Sequence, residues 1–255
     1  MAGSGRVCVA TVLGVLLAAT GAGAADATLG AEVDSAHVWR GVTLNSTPVL
    51  VPQLDVRGWK LYGLPIVVRA RGYLNIGDEG GILPAAKLAK IDLEAGIELP
   101  RGFTLSYIEY AFPTVVGLRE VRPGEPDRPH YLATREVALG WRCRGAVQPW
   151  LTVYRDVGEL DDFFVELGLG RSLKLSDQAE LSLATSAAYA GKRYALDHGG
   201  TREGFHNYDL HARLNYRPLA TLSLAVHAAY TRSFRDSLPK QPVSFYGGLS
   251  ASVRY

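Results

Sequence analysis

Several things are scarce in this chain of 255 residues. It has 2 cysteines and 1 methionine, and its 27 basic and 25 acidic residues leave a net charge of only +2. After the first 25 residues no apolar run is long enough to cross a bilayer as a helix, which takes about 20 apolar residues in succession. Each scarcity excludes something. The balanced charge leaves no footprint for nucleic acid. Cys8 lies in the N-terminal apolar stretch, so Cys143 has no internal partner once that stretch is removed, and the exported fold must stand without a disulfide. If the chain meets a membrane, its apolar residues must do so in alternation.

The N-terminus supplies an address. Residues 1–24 carry one positive charge, Arg6, then an apolar stretch from Val7 to Ala19, then small residues with an A-x-A pattern at Ala22-Gly23-Ala24. This predicts a secretory signal peptide, cleaved after 24 or as late as 27. Residues 25–255 are then one exported domain.

That domain reads as period-2 segments, each near the ten residues that a tilted membrane strand needs. They are 28–40, 49–57, 65–76, 90–99, 102–111, 134–143, 148–155, 163–174, 179–190, 206–217, 221–231 and 244–255. In the cleanest, Ile91, Leu93, Ala95, Ile97 and Leu99 alternate with Lys90, Asp92, Glu94, Gly96 and Glu98. The phase is uncertain in 148–155 and blurs at Ile108. A soluble sandwich alternates too, but three features favour a membrane barrel. Short connections such as "PRG" and "RPLA" alternate with longer, polar ones such as "GDEGGILPAA" and "TVVGLREVRPGEPDRPH". Aromatic residues gather toward segment ends, among them Trp39, Trp59, Tyr62, Tyr73, Tyr107, Trp141, Trp150, Tyr189, Tyr216, Tyr230 and Tyr255, as in the girdles at lipid headgroups. The face opposite the apolar stripe mixes Gly, Ala and Ser with charge, which suits a crowded lumen.

The expected fold is therefore all-β: a closed antiparallel transmembrane β-barrel of about twelve strands, with short periplasmic turns and long extracellular loops, in the bacterial outer membrane. The last segment, "SFYGGLSASVRY", runs to Tyr255. In a closed barrel it pairs with the first, so neither is a free edge. An aromatic end of this kind also resembles the strand read by the barrel-assembly machinery.

"HVWRGVTLNSTPVLVPQLDV" resembles the opening hairpin of the TorF-like porin group (the Gcw_chp-type outer-membrane β-barrel proteins), in which an aromatic-Arg-Gly corner leads into a Pro-containing second strand. "TREVALGW" and "QPWLTVYRDVGELDDFFVELGLG" resemble middle strands of the same group. The resemblance implies an outer-membrane pore and brings no catalytic residues with it.

The alternation nominates lumen-lining residues: Glu32, Asp34, Arg69, Arg71, Asp92, Glu94, Glu136, Glu166, Asp209 and Arg213. Acids outnumber bases in this set, which predicts a weak cation preference. Arg69 and Arg71 are expected to face Asp92 and Glu94 across a hairpin, an arrangement that could shut a narrow lumen. Trp39-Arg40-Gly41 is read first as a headgroup anchor at a turn, with Arg40 on lipid phosphate, and second as placing a cation at the pore mouth. His198, His206 and Asp197 match no metal-ligand spacing. Asp156, Glu159, Asp161 and Asp162 read as a solvated loop rather than paired catalytic or calcium-binding acids. Ser186 and His211 lack a visible oxyanion arrangement. The expected function is a narrow diffusion channel for small solutes, with no enzyme activity, cofactor or metal. Its partners are outer-membrane lipid, small solutes and the assembly machinery. A plugged structural or adhesive barrel with partner-binding loops is the alternative, and an outer-membrane hydrolase stands behind it.

Overall fold

The computed structural model describes residues 26–77, 87–116 and 131–255. The predicted signal peptide and most of the loops 77–86 and 114–130 lie outside those residues. In chain order the strands are β1 (Asp26–Asp34), β2 (His37–Trp39), β3 (Val42–Asn45), β4 (Val49–Arg57), β5 (Lys60–Leu61), β6 (Leu64–Asn75), β7 (Leu88–Leu99), β8 (Phe103–Val116), β9 (Tyr131–Arg142), β10 (Gln148–Asp156), β11 (Phe163–Lys174), β12 (Ala179–Ala190), β13 (Gly204–Tyr216), β14 (Leu222–Ser233) and β15 (Phe245–Arg254). One short helix, α1 (Lys192–Asp197), lies between β12 and β13.

The main sheet has thirteen strands, of which β5 is a two-residue stub. The other twelve form a ring. β1 pairs with both β15 and β4, β4 pairs with β6, and from β6 to β15 each barrel strand pairs antiparallel with the next. Closure reaches the chain terminus: Thr28 lies opposite Arg254, and the backbone N–H of Tyr255 donates to Ala27 O at 2.8 Å. The final residues of the last strand are thus paired with the first. In hydrocarbon an unpaired backbone group costs several kcal/mol, so a ring without edges is the form that this many strands can take.

The period-2 pattern decides which side chains meet lipid. Leu29, Val33, Leu105, Leu139, Leu167, Leu210 and Val226 are exposed on the outer face. Phe163 and Tyr189 stack at 6.1 Å, and Tyr208 lies 6.1 Å from Tyr230 and 6.0 Å from Phe234, forming an aromatic band at the end with the longer connections. The unclear phases also resolve. Ile108 and Tyr110 are buried inside the ring, and Trp150 and Tyr154 line its cavity. A Cβ on Gly168 would lie 2.1 Å from the Trp150 ring, so that ring depends on a glycine in the neighbouring strand.

Two expectations need correction, and one element is additional. Residues 28–40 are not one strand: β1 stops at Asp34, and the chain folds inward as the small hairpin β2–β3. The loop after β12 holds a helical turn that period-2 reading does not foresee. Trp39, Tyr73 and Trp150 belong to the lumen rather than to the headgroup girdle.

Neighbouring residues of one strand test the inside-outside assignment. Leu210→Arg, on the outer face near the middle of β13, should cost about 2–4 kcal/mol of barrel stability. His211→Arg should cost little, because its register neighbours are Ala184 and Ala229 and the side chain points into the lumen. Heat-modifiable gel migration after insertion into vesicles measures both. Equal damage would overturn the assignment.

Candidate functional site, a latched constriction

The residues that dominate the lumen are carried by the inward hairpin. Trp39 pairs with Val42, which leaves Arg40 and Gly41 as a two-residue turn with φ of 51° and 78°. Two successive left-handed residues make the tight primed turn that suits a hairpin. Glycine adopts this freely; arginine does so at a cost of order 1–3 kcal/mol. Gly41 also has no room for a side chain, since a Cβ there would lie 2.6 Å from the Asn207 Cβ. Asn207 reaches that position at a bulge in β13, where the register with β12 shifts between Ala187 and Tyr189.

The turn aims Arg40 across the barrel at Glu136 on β9. Its two terminal nitrogens donate to the two carboxylate oxygens, each at 2.7 Å. Nη1 also donates to Tyr194 Oη at 2.6 Å, and Nη2 to Tyr110 Oη at 3.3 Å. Both charged side chains are buried, with 9% and 1% of their surface exposed. The guanidinium carbon lies 4.1 Å from the Tyr154 ring centre, 4.6 Å from Phe164 and 5.0 Å from Trp39. On one side Phe164, Ala188, Ala190, Tyr194 and Ala195 pack together, and on the other Ile108, Tyr110 and Ala138. These side chains enclose both charges, so the pair interacts with little solvent screening.

The rest of the hairpin is fastened as well. His37 stacks on Tyr73 at 4.0 Å, and Lys90 Nζ lies 4.3 Å from the Trp39 ring centre while holding Asp92 at 2.9 Å. The Asn45 amide donates to Asn75 at 2.6 Å, and the backbone N–H of Thr43 donates to Gln241 Oε1 at 3.0 Å. His198, beside Trp39, is pushed below its ordinary pKa by burial, partly offset by its hydrogen bond to Tyr194 O.

The nominated lumen residues fall into separate places. Arg69 binds Glu94 at 2.9 Å and Asp55 at 3.1 Å. Arg71 lies opposite Asp92 in register, yet Asp92 takes Lys90 and the Tyr73 hydroxyl instead. Arg213 binds Glu32 at 3.0 Å, and His227 Nε2 lies 3.3 Å from Asp34. Asp209 accepts from the Asn207 amide at 2.6 Å. Glu166 has no ion-pair partner among the described residues. Glu136 holds the latch.

The headgroup position expected for Arg40 is not the observed one: its side chain stands inside the barrel, on Glu136. The turn signal was present in "WRGV", but no local pattern says that a hairpin folds inward. Lys90 and Tyr110 lie on the lumen phase of their strands; their importance comes from the hairpin they meet.

Of the loop acids, Asp156, Asp161 and Asp162 have structural roles. Asp156 accepts backbone N–H bonds from Gly158, Leu160 and Asp161, and Asp162 accepts from the backbone N–H of Tyr194 at 2.9 Å. Asp161 pairs with Arg193 at 3.1 Å and also with Arg155. No hydrogen bond joins Ser186 to His211 among the described residues. The described residues that do bring metal-ligating atoms together, within 4.8 Å, are Glu32, Asp34 and His227, not the loop histidines.

No family model matches the chain, and no curated protein matches it. Solved structures do. An outer-membrane channel from Pseudomonas putida F1 superposes with a TM-score of 0.51 over 91% of this chain and 96% of that one, at 12% identity. The fold is that of an outer-membrane β-barrel. The NanC porin follows with a TM-score of 0.46 at 11% identity, over 91% and 100% of the two chains. The channel DcaP of Acinetobacter baumannii scores 0.44 at 8% identity, over 91% and 96%. At these identities the likeness concerns the fold. The resemblance to the TorF-like group rests on its motifs alone.

Removing one partner of the latch should expose its energetics. Arg40→Ala or Glu136→Ala leaves a buried charge unpaired and should destabilise the folded barrel by about 3–5 kcal/mol. Arg40→Met combined with Glu136→Leu should restore most of that loss, because two apolar groups replace the pair. Urea unfolding in detergent micelles measures all three. Single variants as stable as the parent would mean that the guanidinium and carboxylate are solvated.

Proposed function

We propose that this protein is a narrow channel of the bacterial outer membrane for small polar solutes, held closed by the Arg40 hairpin. The observation that carries this reading is the difference between the two halves of the lumen. At the level of the latch the interior is packed. Below it, toward the end that carries both termini, the ring encloses polar cavities of about 510 and 440 Å³. Beside the hairpin lies a third cavity of about 340 Å³, lined by Glu32, Asp34, Arg71 and Arg213. A barrel filled only for stability has no need of polar space below its plug. The hairpin that obstructs it sits on short connections and meets the wall through aromatic packing of His37 and Trp39 and through polar contacts that an alternative position could exchange for water.

The exported location follows from the predicted signal peptide, and insertion through the assembly machinery from the last strand. Solute passage requires no chemistry at the wall, in keeping with structural roles for Asp156, Asp161 and Asp162. Pairing narrows the weak cation preference expected from counting acids to Glu166 and Asp209, the nominated acids without a basic partner among the described residues. Glu136, Glu94, Asp92 and Glu32 each hold a basic partner, Asp34 lies against His227, and Arg40 and Lys90 join the interior charges.

Planar-bilayer recording tests the channel. Arg40→Ala with Glu136→Ala removes the latch without stranding a charge. That variant should conduct several-fold more than the parent, while gel migration shows both to be folded. Absence of conductance from both folded barrels would support the plugged structural reading instead.

A further inference from the structure

The cavity of about 510 Å³ at the terminal end of the barrel is unusually basic. Arg57, Arg69, Arg71, Arg217 and Arg254 line it, against Asp26 and Asp55 as its acids. They come from separate parts of the ring: β4, β6, the turn after β13, and β15. Three of them are already engaged. Arg57 holds Asp55 at 2.8 Å, Arg69 bridges Asp55 and Glu94, and Arg254 holds Asp26 at 2.9 Å. Arg71 and Arg217 are exposed and have no ion-pair partner among the described residues. Arg71 lines the chamber beside the hairpin as well, so it stands where the two spaces meet. Between the arginines the wall offers neutral hydrogen-bonding groups on Thr28, Gln53, Ser223 and Ser252.

A guanidinium presents paired N–H donors in a plane that fits a carboxylate or a phosphate. The cavity is of the size that takes small ligands. The barrel wall around it concentrates the field of the charges without an acidic partner within it. We propose that this vestibule binds small soluble anions bearing carboxylate or phosphate groups, with Arg217 and Arg71, whose side chain also meets the Tyr73 hydroxyl, as its contacts without an acidic partner, and that it gives the open pore an anion preference. The selectivity part rests on the channel reading; the binding part does not.

Succinate and inorganic phosphate, titrated calorimetrically into the full-length barrel in lipid-free detergent, test the site, with choline chloride as the cationic control. Both anions should bind and choline should not. Arg71→Gln and Arg217→Gln should each weaken binding about tenfold, the loss expected for one charge-assisted contact. Arg71→Lys, which keeps the charge and loses the fork, should fall between the parent and Arg71→Gln. Binding of neither anion would overturn the proposal, as would binding indifferent to both glutamine variants. Reversal potentials of the Arg40→Ala/Glu136→Ala variant under a salt gradient test the second part, with a shift away from anions expected on adding Arg71→Gln. Anion binding without conductance would keep the vestibule and sink the channel reading. Cation-selective conductance without anion binding would keep the channel and sink the vestibule.

Discussion

Every backbone N–H and C=O that crosses the hydrocarbon must find its partner within the protein. In this chain that requirement is met by a ring, and the ring joins at β1 and β15. The seam leaves neither strand as a free edge, and the number of strands in the closed ring sets how wide the lumen is. A ring of twelve strands has a narrower bore than the open porins of sixteen or eighteen. A short insertion is enough to obstruct it. The inward hairpin is therefore a consequence of size as much as of sequence: the same nine residues, 37–45, would leave a larger barrel open.

Within that bore the Arg40–Glu136 pair has an ambivalent energy. Burying two charges costs much of what their attraction returns, so the pair adds little net stability compared with an apolar filling, while losing either partner is expensive. Such an interaction is poor glue and a good register pin. It specifies where the hairpin tip sits, at the price of a left-handed arginine. The aromatic faces around the guanidinium reinforce position through cation–π attraction. An apolar plug of the same shape would hold more firmly and would have no charged contact to exchange when it moved.

The distribution of charge along the lumen carries the second lesson. Counting acids and bases on the inward phase suggested an acidic interior. Pairing changes the sum that a passing solute would feel, because Glu94, Asp92 and Glu32 are each met by a base on the same or a nearby strand. Glu166 and Asp209 are left without a basic partner among the described residues, as Arg71 and Arg217, near the terminal end, are left without an acidic one. A residue's sign was visible in sequence; whether the charge is free depended on its neighbour across the ladder.

The sequence alone determined the ring. Side chains in a strand alternate with a period of two whatever surrounds them, so lipid-facing and lumen-facing positions could be read from 90–99 or 163–174 without a partner in view. Turn residues, loop lengths and the terminal strand rest on equally local rules. Where the lipid-facing stripe gave way to inward aromatics, at Ile108–Tyr110 and Trp150–Tyr154, the local signal weakened, because apolar groups stood on both faces. The latch lay beyond such rules. "VWRGV" encodes a tight turn, and that turn would be equally sound pointing to lipid headgroups or into the barrel. Only the tertiary structure decided between them, by setting Glu136, Tyr110 and Tyr194, up to 154 residues away in the chain, around one guanidinium. A buried charge needs partners from several strands at once, and no stretch of sequence contains them together.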